Sequence, residues 1–273
     1  MNKTFMNFAL FFAISALAFG GTRDPDVPDE EYLEYGKKFD NVVLVRVVDF
    51  EGSVVIDGHV FKHIGFAEAS AVIIRPNWAV TAGHVVHDSK KTTIKKKEKE
   101  YQVGKVIIHK EYKHHMNGVY DIALCYCPED FELDEYVELY RKEDELGKKV
   151  DISGFGRPGD FKTGAGNFDG NRRAGNNKID AMSSDIIFCS PGLGDKMPLE
   201  FMITPGDSGG GLFIDGKLAG INSFLRSHNP NDGKGPLGGR YGQESAFMRM
   251  SKLAEWVDLE IKKHELTLVK TNE

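Results

Sequence analysis

Residues 204–218 read Thr-Pro-Gly-Asp-Ser-Gly-Gly-Gly-Leu-Phe-Ile-Asp-Gly-Lys-Leu, and the residues after the serine decide the fold. Ser208 sits among Gly206, Gly209, Gly210 and Gly211. Glycines permit tight turns and unusual φ values, so backbone N–H groups can converge on one point beside a hydroxyl. Gly206-Asp207-Ser208-Gly209-Gly210 also satisfies G-x-S-x-G, the nucleophile elbow of α/β-hydrolases. An elbow needs a helix directly after its serine, whereas the glycines here lead into a hairpin of two strands. Its acid and histidine would also have to come after the serine, where His228 lies in a turn-rich loop and His264 near the end of a helix. An esterase on that fold is therefore the weaker reading.

Outward from this hairpin the chain is β-rich. Short alternating or apolar runs between Gly, Asn and Asp turns predict strands at 42–48, 53–56, 71–74, 78–81, 102–109, 121–126, 149–153, 211–214 and 218–224. Only the C-terminus is convincingly helical, with Ser251 as N-cap and Leu253, Trp256, Val257 and Ile261 on one face. The lysine-rich run 90–99 reads as a solvated hairpin or loop, rather than a docking patch for an acidic partner. Residues 159–177, rich in Gly and Asn and carrying Arg172 and Arg173, read as a long exposed loop. The 273 residues are 41% hydrophobic and 28% charged, an ordinary globular composition with room for two domains or one large β fold. A net charge of -6 excludes a nucleic-acid or anionic-membrane binder held by bulk electrostatics.

The N-terminus is a different kind of sequence. Lys3 supplies a positive start, and 8–19 is almost wholly apolar but too short for a membrane span of ~20 residues. Ala18-Phe19-Gly20 offers small residues for a cleavage site. A secretory signal over 1–20, cut after Gly20, is predicted, leaving no stable membrane anchor; an uncleaved anchor is the alternative. Export meets oxidising conditions, yet there are only three cysteines, Cys125, Cys127 and Cys189, so no disulfide framework carries stability. Cys125 and Cys127 would lie about 6.5 Å apart on one strand face with parallel side chains, which argues for buried free thiols. Their spacing does not suit a structural zinc site either.

Two more segments carry chemistry. Thr81-Ala82-Gly83-His84 comes directly after an apolar strand that would hold a histidine on a rigid scaffold. His87 and Asp88 could equally suggest a metal pair, although no third ligand sits at useful spacing. Asp121 opens the apolar strand Asp121-Ile122-Ala123-Leu124, where a buried acid needs a hydrogen-bonding partner.

In the order His84, Asp121, Ser208, these segments resemble the trypsin/chymotrypsin family of serine proteases. Residues 105–112, Gly154-Phe155-Gly156, Ile221-Asn222-Ser223-Phe224 and the Trp256 helix match as well, so the resemblance covers about 40–262. It implies an all-β fold of two antiparallel six-stranded β-barrels packed face to face, with a C-terminal α-helix. The implied division is a signal at 1–20, an N-terminal barrel over 21–140 carrying His84 and Asp121, and a C-terminal barrel over 141–273 carrying Ser208. The function implied is a secreted or periplasmic serine endopeptidase acting on protein or peptide substrates without a cofactor or metal. By resemblance, Ser208 is the nucleophile, His84 the general base and Asp121 its orienting acid, and the backbone N–H groups of Gly206 and Ser208 form the oxyanion hole. A catalytically inactive homologue that only binds partners is the alternative from another class; against it, all three residues are present.

The resemblance also bears on specificity and activation. Met202, six before Ser208, falls at the base of the primary pocket, which disfavours a preference for Arg or Lys. Leu225 and Ser245 would narrow that pocket toward small or medium aliphatic side chains, and 223–225, including Phe224, would pair with substrate backbone as an added strand. The rival has Glu200 or Asp185 entering the pocket. Asp207 is the family's site-ordering aspartate, which pairs with a newly freed N-terminal ammonium. No Arg or Lys followed by the family's Ile-Val-Gly-Gly start precedes His84, so the cut after Gly20 would free Gly21 for that place, with an insertion at 49–67. The alternative is that a side chain or local backbone N–H groups satisfy Asp207 and the N-terminus is loose. Val85 and Thr204 stand where animal members commonly carry cysteine, which suggests a bacterial-type member. Only 65 residues come after Ser208, with no PDZ-like segment.

Overall fold

The computed structural model describes residues 21–56, 59–114, 119–192, 196–227 and 238–271, with backbone alone for 49–56 and 59–64. The expected signal segment 1–20 and His228 lie outside the described residues. The chain opens with strand β1 (Thr22–Arg23) and helix α1 (Asp29–Gly36). It continues through β2 (Val42–Ile56), β3 (His59–Arg75), β4 (Trp78–Thr81), the one-turn helix α2 (Gly83–Val86), β5 (Lys91–Lys96), β6 (Lys99–Gln102), β7 (Lys105–Ile108) and β8 (Ala123–Tyr126). Strands β2 to β8 form one antiparallel sheet in the order β6-β5-β2-β3-β4-β8-β7. The expected insertion region 49–67 is the outer part of the β2–β3 hairpin, whose register runs to Ile56↔His59.

The second half contributes β9 (Lys149–Gly154), β10 (Gly159–Asp160), β11 (Gly164–Ala165), β12 (Arg173–Lys178), β13 (Ala181–Met182), β14 (Ile186–Cys189), β15 (Phe201–Met202), β16 (Gly211–Ile214), β17 (Lys217–Ser227), β18 (Gln243–Arg249) and helix α3 (Met250–Thr271). Its main sheet is ordered β12-β9-β16-β17-β18-β14-β13, and a small sheet is ordered β11-β10-β1-β15. The fold is mostly β: two curled antiparallel half-barrels and a C-terminal helix. The division expected from sequence gives residue 21 onward to the first barrel, but Thr22 and Arg23 pair with β10 and β15 and so lie against the second half.

Strand periodicity explains why the two halves need each other. Side chains alternate across a strand, so a continuous apolar run serves two faces. Val43, Val45, Ala71, Ile73, Ala79, Ala123 and Cys125 fill the interior of the first half. Their neighbours Val42, Val72, Ile74, Val80, Ile122 and Leu124 meet Phe213, Leu218, Ile221 and Met248 of the second half, together with Leu253, Val257 and Ile261 of α3. Val150, Ile152, Ile187, Leu212, Ile214 and Phe247 form the second half's own core. Each such aliphatic side chain contributes roughly 1.5–3 kcal/mol when fully buried.

Several expectations need correction. Each main sheet has seven strands rather than six. The lysine-rich run adds a hairpin, β5–β6, that turns Ile94 and Tyr101 inward, and the short β13 extends the other sheet. Residues 159–177 are not one exposed loop: they hold β10, β11 and most of β12, and Arg173 is buried between Asp29 and Asp169. Ser251 does not precede the terminal helix as its N-cap. The helix begins at Met250, and Ser251 Oγ donates instead to Glu145 Oε1 at 2.6 Å.

Candidate active site

β4 is buried along its whole length, and the chain turns from it directly into α2, which carries His84. Asp121 immediately precedes Ile122 and β8, the strand paired with β4. This pairing brings the Asp121 carboxylate under the histidine: Oδ1 accepts the His84 backbone N–H at 2.8 Å, and Oδ2 lies 2.7 Å from His84 Nδ1. The histidine is therefore held by backbone and ring together. Ser223 Oγ, from β17, donates to the same Oδ2 at 2.5 Å. Burial pushes the Asp121 carboxyl up, but the hydrogen bonds from His84 and Ser223 and the His84 charge outweigh it and hold it below the usual carboxylate value. The Tyr112 phenol, beside Gly83, is pushed up to about 12 by burial and then by the charges of Asp121 and Asp88.

Ser208 lies in the turn between β15 and β16, half-buried, with its carbonyl accepting the Ser70 N–H at 2.8 Å. Ser208, Gly206 and His84 share a cavity of about 240 Å³ whose other walls include Val47, Ala67, Ala69 and Val85. No direct hydrogen bond joins the His84 and Ser208 side chains among the described residues; such bonds are often long until substrate closes the site. Gly206 has φ of 100°, a conformation that L side chains rarely adopt. A larger cavity of about 560 Å³ lies elsewhere, between 136–142 and α3. It holds none of the candidate residues, and Arg75 and Arg141 there both pair with Asp258.

Asp207 points away from this cavity into the protein and is fully buried. Its Oδ2 accepts the Thr204 N–H at 3.1 Å and faces the Gly21 nitrogen at 2.5 Å. Its Oδ1 makes no hydrogen bond of ordinary geometry among the described residues, though the Gly156 N–H and the Arg173 charge also act on the carboxyl and lower its pKa. Burial pushes its pKa up to about 7, against the Thr204 and Gly21 hydrogen bonds, which lower it. Gly21 fits because it has no side chain: a Cβ there would sit 2.1 Å from Phe201 Cζ.

The residues expected to shape specificity gather around the same loop. Met202 is fully buried and pairs with Thr22. Ser245 is also fully buried, and its Oγ accepts the Ile203 N–H at 3.0 Å. Leu225 is half-buried, opposite Ser245, with Gly238 close against it. Phe224 is half-buried and opposite Ala246. Glu200 does not offer a free carboxylate, because it accepts N–H groups from Gly192 and Met197. Asp185 sits just before β14, and its carbonyl accepts the Arg249 N–H at 2.9 Å. His87 and Asp88 pair at 3.0 Å, and no group of three potential metal ligands forms among the described residues. All three cysteines are buried and unbridged. The Ser223 hydroxyl contact with Asp121 has no signature in the sequence, and Ser70 is only a serine within an apolar strand.

Comparison with known proteins gives a consistent picture. The family model described as Trypsin matches residues 57–239, more than half of the chain and a span that includes His84, Asp121 and Ser208. Among solved structures, mouse neuropsin, a serine protease expressed in the limbic system of the brain, superposes with a TM-score of 0.57 at 18% identity, covering 80% of this chain and 93% of that one. At that identity the likeness speaks for the fold. No curated protein matches the sequence.

Proposed function

The chain belongs to the trypsin family, and from that premise we propose that it is an exported serine endopeptidase acting through Ser208, His84 and Asp121. The carrying observation is the two-point hold of Asp121 on His84, beside a serine whose loop has glycine at positive φ. In this reading Ser208 Oγ attacks the scissile carbonyl while His84 Nε2 takes its proton, and Asp121 keeps Nδ1–H directed at itself and stabilises the imidazolium. The N–H groups of Gly206 and Ser208 receive the developing oxyanion, each worth about 3–4 kcal/mol in comparable sites. His84 returns the proton to the leaving amine, and water then hydrolyses the acyl-enzyme by the reverse sequence. No cofactor or metal enters these steps.

The signal reading of 1–20 supports export, to a periplasm or outside the cell, and the absence of cysteine at 85 and 204 supports a bacterial-type member. Among the described residues no helix is long and apolar enough to cross a membrane. Removal of the first twenty residues turns the Gly21 nitrogen, 2.5 Å from Oδ2 of the buried Asp207, into an ammonium, so export and activation become one event. Buried Met202 and Ser245, with half-buried Leu225 opposite Ser245, support a preference for small or medium aliphatic side chains at the cleavage site. Peptide-library profiling of the protein starting at Gly21, with Ser208→Ala as control, tests the function. Cleavage lost in the variant supports it, and equal turnover by both rejects it.

A further inference from the structure

Ser70 lies within β3 between Ala69 and Ala71 and is fully buried. A hydroxyl buried in an apolar strand costs free energy unless its proton and lone pairs are used. Both are used here. The Phe155 N–H, just past β9, donates to Ser70 Oγ at 2.9 Å, and Ser70 Oγ donates to the Gly206 carbonyl at 2.9 Å. Since an amide can only donate, the first bond leaves the Ser70 proton free to point at Gly206. The backbone of Ser70 is equally committed. Its N–H donates to the Ser208 carbonyl at 2.8 Å, and its carbonyl accepts from Thr81 Oγ1, at the end of the strand before His84, at 2.7 Å.

From this geometry we infer that Ser70 is a positioning residue for the oxyanion loop: its hydroxyl anchors the Gly206–Asp207 peptide by the Gly206 carbonyl, and through the Gly206 torsions this limits where the N–H of the preceding peptide points. The inference rests on the proposed function, because that N–H matters to catalysis only if it receives an oxyanion. The physical need is specific to glycine. Without a Cβ, the peptide units flanking Gly206 rotate at little steric cost; within the loop the Asp207 N–H donates to the Thr204 carbonyl at 3.0 Å, and the Ser70 hydroxyl holds the carbonyl of the same unit from outside. Ser70 imposes it from the first half of the molecule on a loop of the second, holding the carbonyls on both sides of Asp207. The contact between Asp207 and Gly21 acts on the same loop from its other side.

Ser70→Ala removes the hydroxyl and keeps the backbone bonds. On a cleavable peptide it is expected to lower kcat about tenfold to a hundredfold, somewhat less than loss of a donor itself, with KM within about twofold. Affinity for a peptide boronic acid, which becomes tetrahedral on Ser208, should fall in parallel, while affinity for the product peptide stays. Amide hydrogen exchange over 204–209 should quicken by about tenfold at unchanged circular dichroism, a readout that needs no turnover. Ser70→Cys, close in volume but a weak donor, carries the same measurements if the alanine variant does not fold. Wild-type kcat together with wild-type exchange overturns the inference. So does a loss shared equally by KM and product affinity. A folded wild-type chain that neither cleaves peptides nor reacts with a fluorophosphonate overturns the proposed function instead, and the exchange comparison still decides whether Ser70 orders the loop.

Discussion

Asp207 is a fully buried carboxyl at the junction of the N-terminus and the oxyanion loop. With the bond to Gly20 intact, burial pushes it up to about 7. An unfolded aspartate titrates near 3.9, so between about pH 4 and 7 the folded chain binds more protons than the unfolded one, and stability falls as pH rises. An ammonium at Gly21 reverses the sign. If the ion pair forms, the carboxylate is expected to titrate below its unfolded value, giving stability that is present above about pH 4 and lost as pH falls through the lowered value. Urea midpoints across that window should therefore fall for protein with one extra residue before Gly21 and hold or rise for protein starting there; identical slopes would remove the ammonium from the account. Gly21→Val, whose Cβ would meet Phe201 at 2.1 Å, should cost roughly tenfold or more in kcat by the loss of oxyanion-loop order. At Ser223, alanine removes one hydrogen bond to Asp121 and is expected to lower kcat a few-fold with KM unchanged, which steady-state kinetics on a cleavable peptide would check.

Among the elements, α3 depends on a buried ion pair at its start. Arg249 donates to both oxygens of fully buried Glu145 at 2.8 Å, and Ser251 donates to one of them. Glu145→Ala leaves a guanidinium largely out of water with only the Ser184 carbonyl and the more distant Glu143, at 3.7 Å, and should cost about 3 kcal/mol of unfolding free energy. Urea denaturation checks this, and a cost under about 1 kcal/mol would mean that the pair is solvated. The same elements mark where sequence reading succeeds and stops. The α3 face Leu253, Val257 and Ile261 is legible because its spacing fits one helical stripe, and all three are buried. α1 is less legible: in Asp29–Gly36 only Tyr32 and Gly36 are buried, so no apolar stripe announces it. β12 reads Arg-Ala-Gly-Asn-Asn-Lys, without apolar alternation, and Arg173 is held by Asp29 from far away in sequence. Long-range ion pairing leaves no local pattern.

For the whole molecule, the division of labour was written in the apolar strands, because alternate residues of β2 and β3 serve a half-barrel core and the seam between halves. The candidate residues were legible as short motifs on rigid strand ends. The bonds that aim them, from Ser223 to Asp121 and from Ser70 to Gly206, cross the chain and appear only in three dimensions. In the proposed function, Ser208 is an activated nucleophile in the protein beginning at Gly21. Intact-mass spectrometry after incubation with a fluorophosphonate tests it most directly. One adduct per chain is expected, mapped to Ser208, lost in Ser208→Ala and strongly slowed in His84→Ala. A folded protein that stays unmodified, or an adduct that persists in Ser208→Ala, would contradict it.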